Sequence, residues 1–302
     1  MTLFSSLGDG YVRRALIEVV LLGLLCGAVG VQVVLRRLAF LTTALTHATF
    51  PGVVLASLLG VGLVLGAGVF GVLLVAVVAL LTGAGHGGRA GGGGTSHGRE
   101  TSSVTAVVLS GGFALGIALM STQNGFSRDL TAFLVGSVLT VAPSDILVSA
   151  VTTVLVLVVL AGLRKELLLG AFDPTALAAA GYPARALDLV LLLMLEATVV
   201  TSLPAVGTIM AVALIVGPAA TARLWCARAG AMTAVAMALG VLSGVIGLTV
   251  SEQWNVAAGG AIVLTVAAFF TVSLVVRSLP RGESVPRAPA REKSAGRPTY
   301  SG

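Results

Sequence analysis

Long apolar runs divided by short charged punctuation set the first picture. No Asp, Glu, Lys or Arg occurs between Arg37 and Arg89, and further uncharged intervals lie at 19–35, 101–127, 146–163, 229–251 and 253–276. A helix crosses the hydrocarbon core of a bilayer in about 20 residues, so the first interval holds two crossings. Residues 189–222 carry one charge, Glu196, and are long enough for two short crossings. The pattern predicts helices near 13–35, 39–59, 61–82, 103–121, 143–163, 186–202, 205–222, 231–250 and 257–277. That makes eight to nine transmembrane helices. Residues 130–141 are apolar but too short to cross and read as a re-entrant or surface segment. The expected fold class is an all-α polytopic membrane protein with one transmembrane domain over 1–279.

Composition narrows the function classes. Of the 302 residues, 57% are hydrophobic and 10% charged, against about 25% charged in soluble domains, and the mean hydropathy is +1.06. A soluble enzyme, a soluble binding module and a disordered chain are all excluded. The net charge of +6 would suit nucleic acid, but the cations sit between the apolar runs and in the tail, so no nucleic-acid partner is expected. They set orientation instead. With the N-terminus outside and nine spans, 15 of the 18 Lys and Arg residues fall inside, leaving only Arg13, Arg14 and Arg128 outside. The expectation is N-terminus outside, C-terminus cytoplasmic. Arg13-Arg14 ahead of an apolar run imitates a signal peptide. That run is too long, however, has no small-residue cleavage site, and is closed by Arg36-Arg37. Cys26 and Cys226 fall in or at the end of predicted helices and read as packing residues.

Three segments stand apart from the spans. Residues 83–100 form a Gly-rich cytoplasmic loop carrying His86 and His97, too sparse a pair to specify a metal site. Residues 280–302 are rich in Pro, Arg and Ser and are expected to be a disordered basic cytoplasmic tail. Between two spans, RKELLLGAFDPTALAAAGYPAR (164–185) encodes a short helix. Asp173 caps it and Pro174 fits its first position. Gly181 takes a left-handed end, and Pro183 prevents continuation. A cytoplasmic helix held between spans is suited to meet a motor subunit.

Ionisable groups inside a bilayer are costly and mark function. His47 lies early in the second predicted span, just before Pro51-Gly52, and Glu196 lies midway along the sixth. Both helices run inside to outside, so the two side chains are expected at one depth, lining one cavity with Thr43 one turn before His47. Imidazole and carboxylate together suit zinc or manganese. Pro51-Gly52 and Gly217-Pro218 are expected helix breaks of the kind found at transport sites. Glu18 and Asp188, nearer helix ends, read as interfacial. The G-x-x-x-G pairs Gly23/Gly27, Gly62/Gly66, Gly112/Gly116 and Gly240/Gly244 predict close helix contacts for at least two of the four.

TALTHATFPGVVLASLLG (43–60) resembles the Ser/Thr-His-x-x-x-Pro-Gly segment of bacterial ABC importer permeases for zinc, manganese and iron. The likeness continues in order through AFDPTALAAAGYPAR (171–185), PAVGTIMAVALIVGPAATARLW (204–225) and WNVAAGGAIVLTVAAFF (254–270). The resemblance implies a type II importer-like permease that pairs with a second permease subunit, typically as a homodimer, in the bacterial plasma membrane. It also implies a cytosolic ABC ATPase docked on 171–185, where Phe172, Asp173, Pro174 and Gly181 lie. An extracytoplasmic metal-binding protein would deliver the ion. The family carries an Asp four residues before the His; here Thr43 stands at that position, and Glu196 is the candidate for the missing carboxylate. No permanent cofactor is implied: the divalent metal ion is cargo, and ATP binds only the partner. The chain has no Gly-Lys-Ser/Thr phosphate loop of its own, nor the H-E-x-x-H of a metalloprotease. The rival reading is a secondary transporter driven by an ion gradient, which would work without an ATPase.

Overall fold

The protein is described by a computed structural model that covers residues 10–84, 110–119 and 141–278 except 255, with isolated positions 107, 121, 136 and 138. The helices are α1 (Gly10–Leu35), α2 (Ala39–Ala48), α3 (Phe50–Leu59), α4 (Leu63–Ala84) and α5 (Ser110–Leu119). They continue with α6 (Pro143–Gly162), α7 (Arg164–Phe172), α8 (Pro174–Ala179), α9 (Ala184–Val206), α10 (Thr208–Trp225), α11 (Ala229–Trp254) and α12 (Ala258–Ser278). Six spans among the described residues are long and apolar enough to cross a membrane, α2 and α3 counting as one; α4, α5 and α10 contribute shorter apolar stretches. The Gly-rich loop from 85 onward, the 280–302 tail and most of 130–141 lie outside the described residues. Within that last segment Val138 is buried and Gly136 backs onto Gly207.

The bundle is organised around α1. Its apolar window is 72% buried, against 17% for α6 and 22% for α12, and it packs on α6, α9, α10 and α11. Leu22, Leu25 and Val29 form the core with Leu195, Val199, Ile215, Leu248 and Ile262. Glycine makes the closest approach possible. A methyl on Gly23 would stand 2.6 Å from the backbone nitrogen of Val241, and one on Gly27 2.7 Å from the carbonyl oxygen of Ala236. Gly240 lies against Gly23 in return, and Gly112 and Gly116 face Ala48, Phe50 and Pro51. In an apolar solvent, where burial alone drives little association, such backbone approach is what joins helices.

Of the two expected helix breaks, the first is present and the second is not. The second span is interrupted for one residue at Thr49, ahead of Pro51-Gly52, and Pro51 sits in the first turn of α3. Proline is tolerated there because its missing N–H would have no helical partner anyway, yet it cannot return a bond to the carbonyl of His47. Gly52 serves packing: a side chain on it would collide with Phe70 of α4. At Gly217-Pro218 the helix does not break at all, since α10 runs through both. The turn between spans falls at Gly207, whose φ of 80° and ψ of 166° few residues other than glycine adopt.

Candidate functional site

α7 and α8 form a ledge across one end of the bundle, seated by Leu167 and Leu177, both buried. The α8 ends are built locally. The Asp173 carboxylate accepts from the Thr175 hydroxyl at 2.6 Å and the Ala176 N–H at 2.9 Å. These bonds, the hydroxyl first, hold its carboxyl below the ordinary carboxylate range. At the other end Tyr182 N–H returns to Leu177 and Gly181 N–H to Ala178, with Gly181 at φ 79°. That is the paired-bond termination for which glycine is preferred. Phe172 stands 73% exposed beside it. The preceding helix α7, RKELLLGAF, is an addition to the short helix expected in this loop. Its Gly170 faces Arg36 and Leu177: a methyl would stand 3.1 Å from the Arg36 Nη2.

Arg36 joins the ledge to the bundle. Its Nη1 donates to Asp188 Oδ1 of α9 at 2.5 Å and its Nη2 to the Leu167 carbonyl of α7 at 3.2 Å. Arg37, at φ 58°, ends α1 with the same paired bonds that Gly181 makes, Leu38 N–H to Val33 and Arg37 N–H to Val34. A side chain in that conformation costs roughly 1–2 kcal/mol.

From this corner α2 enters the bundle and lines a cavity of about 660 Å³ between α2, α10 and α12. Thr43 and His47, one turn apart on one face, both open into it, with Val216 and Gly217 opposite. The Nδ1 atom of His47 is buried without a hydrogen-bond partner, and its ring meets Phe113 edge-on at 5.2 Å. Thr43 donates its hydroxyl proton to the Ala39 carbonyl at 3.1 Å, which leaves its oxygen lone pairs directed elsewhere.

Glu196 does not share that cavity, contrary to expectation. It is 2% exposed and accepts from the Thr49 hydroxyl at 3.0 Å; its other oxygen is unpartnered. Gly71 of α4 packs directly against its carboxyl group. Thr49 follows His47 by two residues, roughly 200° around a helix, so Glu196 touches the opposite side of the second span. The equal depth inferred from the sequence says nothing of azimuth. Glu18 is likewise buried: it is 1% exposed and accepts from the Ser149 hydroxyl of α6 at 2.6 Å. Asp188 is exposed and paired with Arg36. No group of three or more His, Cys, Asp or Glu side chains is gathered for a metal among the described residues. One chain therefore offers an imidazole nitrogen and a hydroxyl oxygen at the cavity wall, an open set rather than a closed cage.

Residues 9–277 match the ABC 3 transport family. The chain is 34% identical over 266 residues to the manganese import system permease protein ScaB of Streptococcus gordonii, covering 88% of this chain and 91% of that protein. It is 30% identical to a probable iron transport system membrane protein of Haemophilus influenzae, covering 90% of this chain and 96% of the other. Among solved structures it resembles PsaBC from Streptococcus pneumoniae in complex with Fab, with a TM-score of 0.77, 32% identity, and coverage of 90% of this chain and 94% of that one.

Proposed function

The chain belongs to the ABC 3 transport family, and from that membership we propose that it is the membrane permease subunit of an ATP-driven importer of divalent transition metal ions. Manganese leads the substrate class, with zinc and iron beside it, since manganese and iron are what the similar proteins are named for. The observation that carries the reading is the cavity wall. His47 lines a space between three helices, with Thr43 one turn away on the same wall, and its buried Nδ1 has no hydrogen-bond partner. Two donors bind a divalent ion weakly, as passage requires. A second permease subunit presenting the same pair would complete four donors around the ion. Counting the three shorter apolar helices as crossings gives nine spans, and with the basic residues inside our reading has the ledge in the cytoplasm, the N-terminus outside and the C-terminus inside.

In this arrangement the ATPase docks on α7–α8, with Phe172, Asp173, Pro174 and Gly181 shaping its seat, and an extracytoplasmic protein hands over the metal. The test is uptake of radioactive manganese by cells stripped of their own importers. The chain alone should take up none, and the chain with its ATPase and delivery protein should take it up in an ATP-dependent way. Uptake by the chain alone would point to the gradient-driven transporter instead.

A further inference from the structure

We infer that Arg36 is the positioning residue that couples the ledge to His47. The inference rests on the reading of α7–α8 as the ATPase seat. Arg36 immediately follows the central helix α1, and its fork holds two separate elements. Nη1 reaches the Asp188 carboxylate on α9 and Nη2 the Leu167 carbonyl on α7. Gly170 of α7 lies beside the guanidinium, where a methyl would stand 3.1 Å from Nη2. The side chain is 11% exposed while Asp188 is 63% exposed, so the arginine is buried in the joint and the aspartate faces water.

The corner that follows makes the joint directional. Arg37, in its left-handed conformation, passes the chain into α2 without a flexible linker, and the cavity begins at Ala39 and Phe40 and continues to Thr43 and His47. His47 lies eight residues into α2, about 12 Å along its axis. A shift of α7 is thereby carried through Arg36 to the α1–α2 corner and along a rigid helix to the imidazole. A lysine cannot replace this arrangement, because an ammonium lacks the planar fork that serves both acceptors at once.

A second arginine serves as an internal control. Arg277, at the end of α12, also donates to a carbonyl near a helix end, that of Leu224 on α10, and among the described residues its side chain makes no hydrogen bond to α7 or α9. The experiment uses the complex of the chain with its ATPase in liposomes, with Mn²⁺ as the probe, and reads manganese ions moved per ATP hydrolysed. Asp188→Asn and Arg36→Lys are expected to leave complex assembly and ATP hydrolysis in place while that ratio falls about tenfold, the factor expected for losing one charge-assisted hydrogen bond. Arg277→Ala is expected to keep the ratio of the unmodified chain. Arg36→Gln should match or exceed the loss in Asp188→Asn; if it does not assemble, the exposed Asp188 carries the test. An unchanged ratio in Asp188→Asn, or an equal loss in Arg277→Ala, overturns the inference. If the unmodified chain assembles with no ATPase, the functional reading itself falls, and the inference with it.

Discussion

At α8, each group that shapes the chain lies within five residues of the group it serves: Asp173 with Thr175 and Ala176, Gly181 with Ala178, Tyr182 with Leu177. In the bundle interior the partners are remote. His47 meets Phe113, and Thr49 bonds to Glu196, 147 positions further along. Local rules therefore wrote α8 into the sequence, whereas the interior depends on how each helix is rotated about its axis. A polytopic chain fixes that rotation through glycine contacts, because all faces of its helices are apolar and no polar stripe announces the outside.

Substituting the glycines should show this most strongly. Gly23→Val places branched atoms where even a methyl would stand 2.6 Å from Val241. Separating α1 from α11 to admit it should cost about 3 kcal/mol or more, read as a lost thermal transition or failed accumulation in the membrane. Gly68→Ala, with nothing within 4 Å of its added carbon, should accumulate normally. Equal behaviour of the two would mean that α1 and α11 do not meet as described.

The next effect separates function from assembly. His47→Ala should lower manganese uptake by about a hundredfold or more while protein abundance stays level, since His47 lines a cavity and makes its ring contact with Phe113 alone among the described residues. Thr43→Asp should tighten the site by adding a charged oxygen donor on the same face. Uptake that survives His47→Ala would remove the cavity from the transport path.

How far the sequence could be read follows the same divide. The apolar runs located every helical segment among the described residues that crosses the bundle, because run length and charge spacing are one-dimensional properties. Asp173, Pro174 and Gly181 were legible because capping and left-handed termination act within a few residues. Three things were not. α7 was not legible because it is held by Arg36, more than a hundred positions earlier, whose Nη2 donates to the Leu167 carbonyl. Gly217-Pro218 looked like a break, but a helix inside a bundle keeps its course through one proline when its neighbours hold it. Arg37 gave no sign of a left-handed corner, since only glycine or asparagine advertises one.

At the ledge a smaller, local effect is expected. Gly181→Val must hold a branched residue at φ 79°, a strain of roughly 1–2 kcal/mol, in a helix of six residues with little cooperativity to absorb it. Binding of the ATPase to the permease should weaken by about tenfold, the equivalent of that energy. Gly181→Asn, which tolerates the left-handed region, should bind nearly as the unmodified chain does. If valine and asparagine act alike, the terminating turn does not shape the docking seat.

The smallest effect is expected at Glu196, where the sequence suggested a metal ligand and the structure puts a packed carboxyl group. Its one bonded oxygen accepts from Thr49, and the backbone of Gly71 packs against the carboxyl group. Glu196→Gln keeps the shape and the accepting oxygen and replaces an ionisable group by an amide, which is less costly to bury. Thermal stability should stay within about 1 kcal/mol of the unmodified chain, and the ratio of manganese to zinc uptake should not move. Thr49→Val, by contrast, strips the carboxyl group of its donor and leaves both oxygens unpaired in the bundle, at about 1–3 kcal/mol. A metal preference altered by Glu196→Gln alone would mean that the carboxylate reaches the ion after all, by a rotation of the second span that brings Thr49 rather than His47 to the cavity.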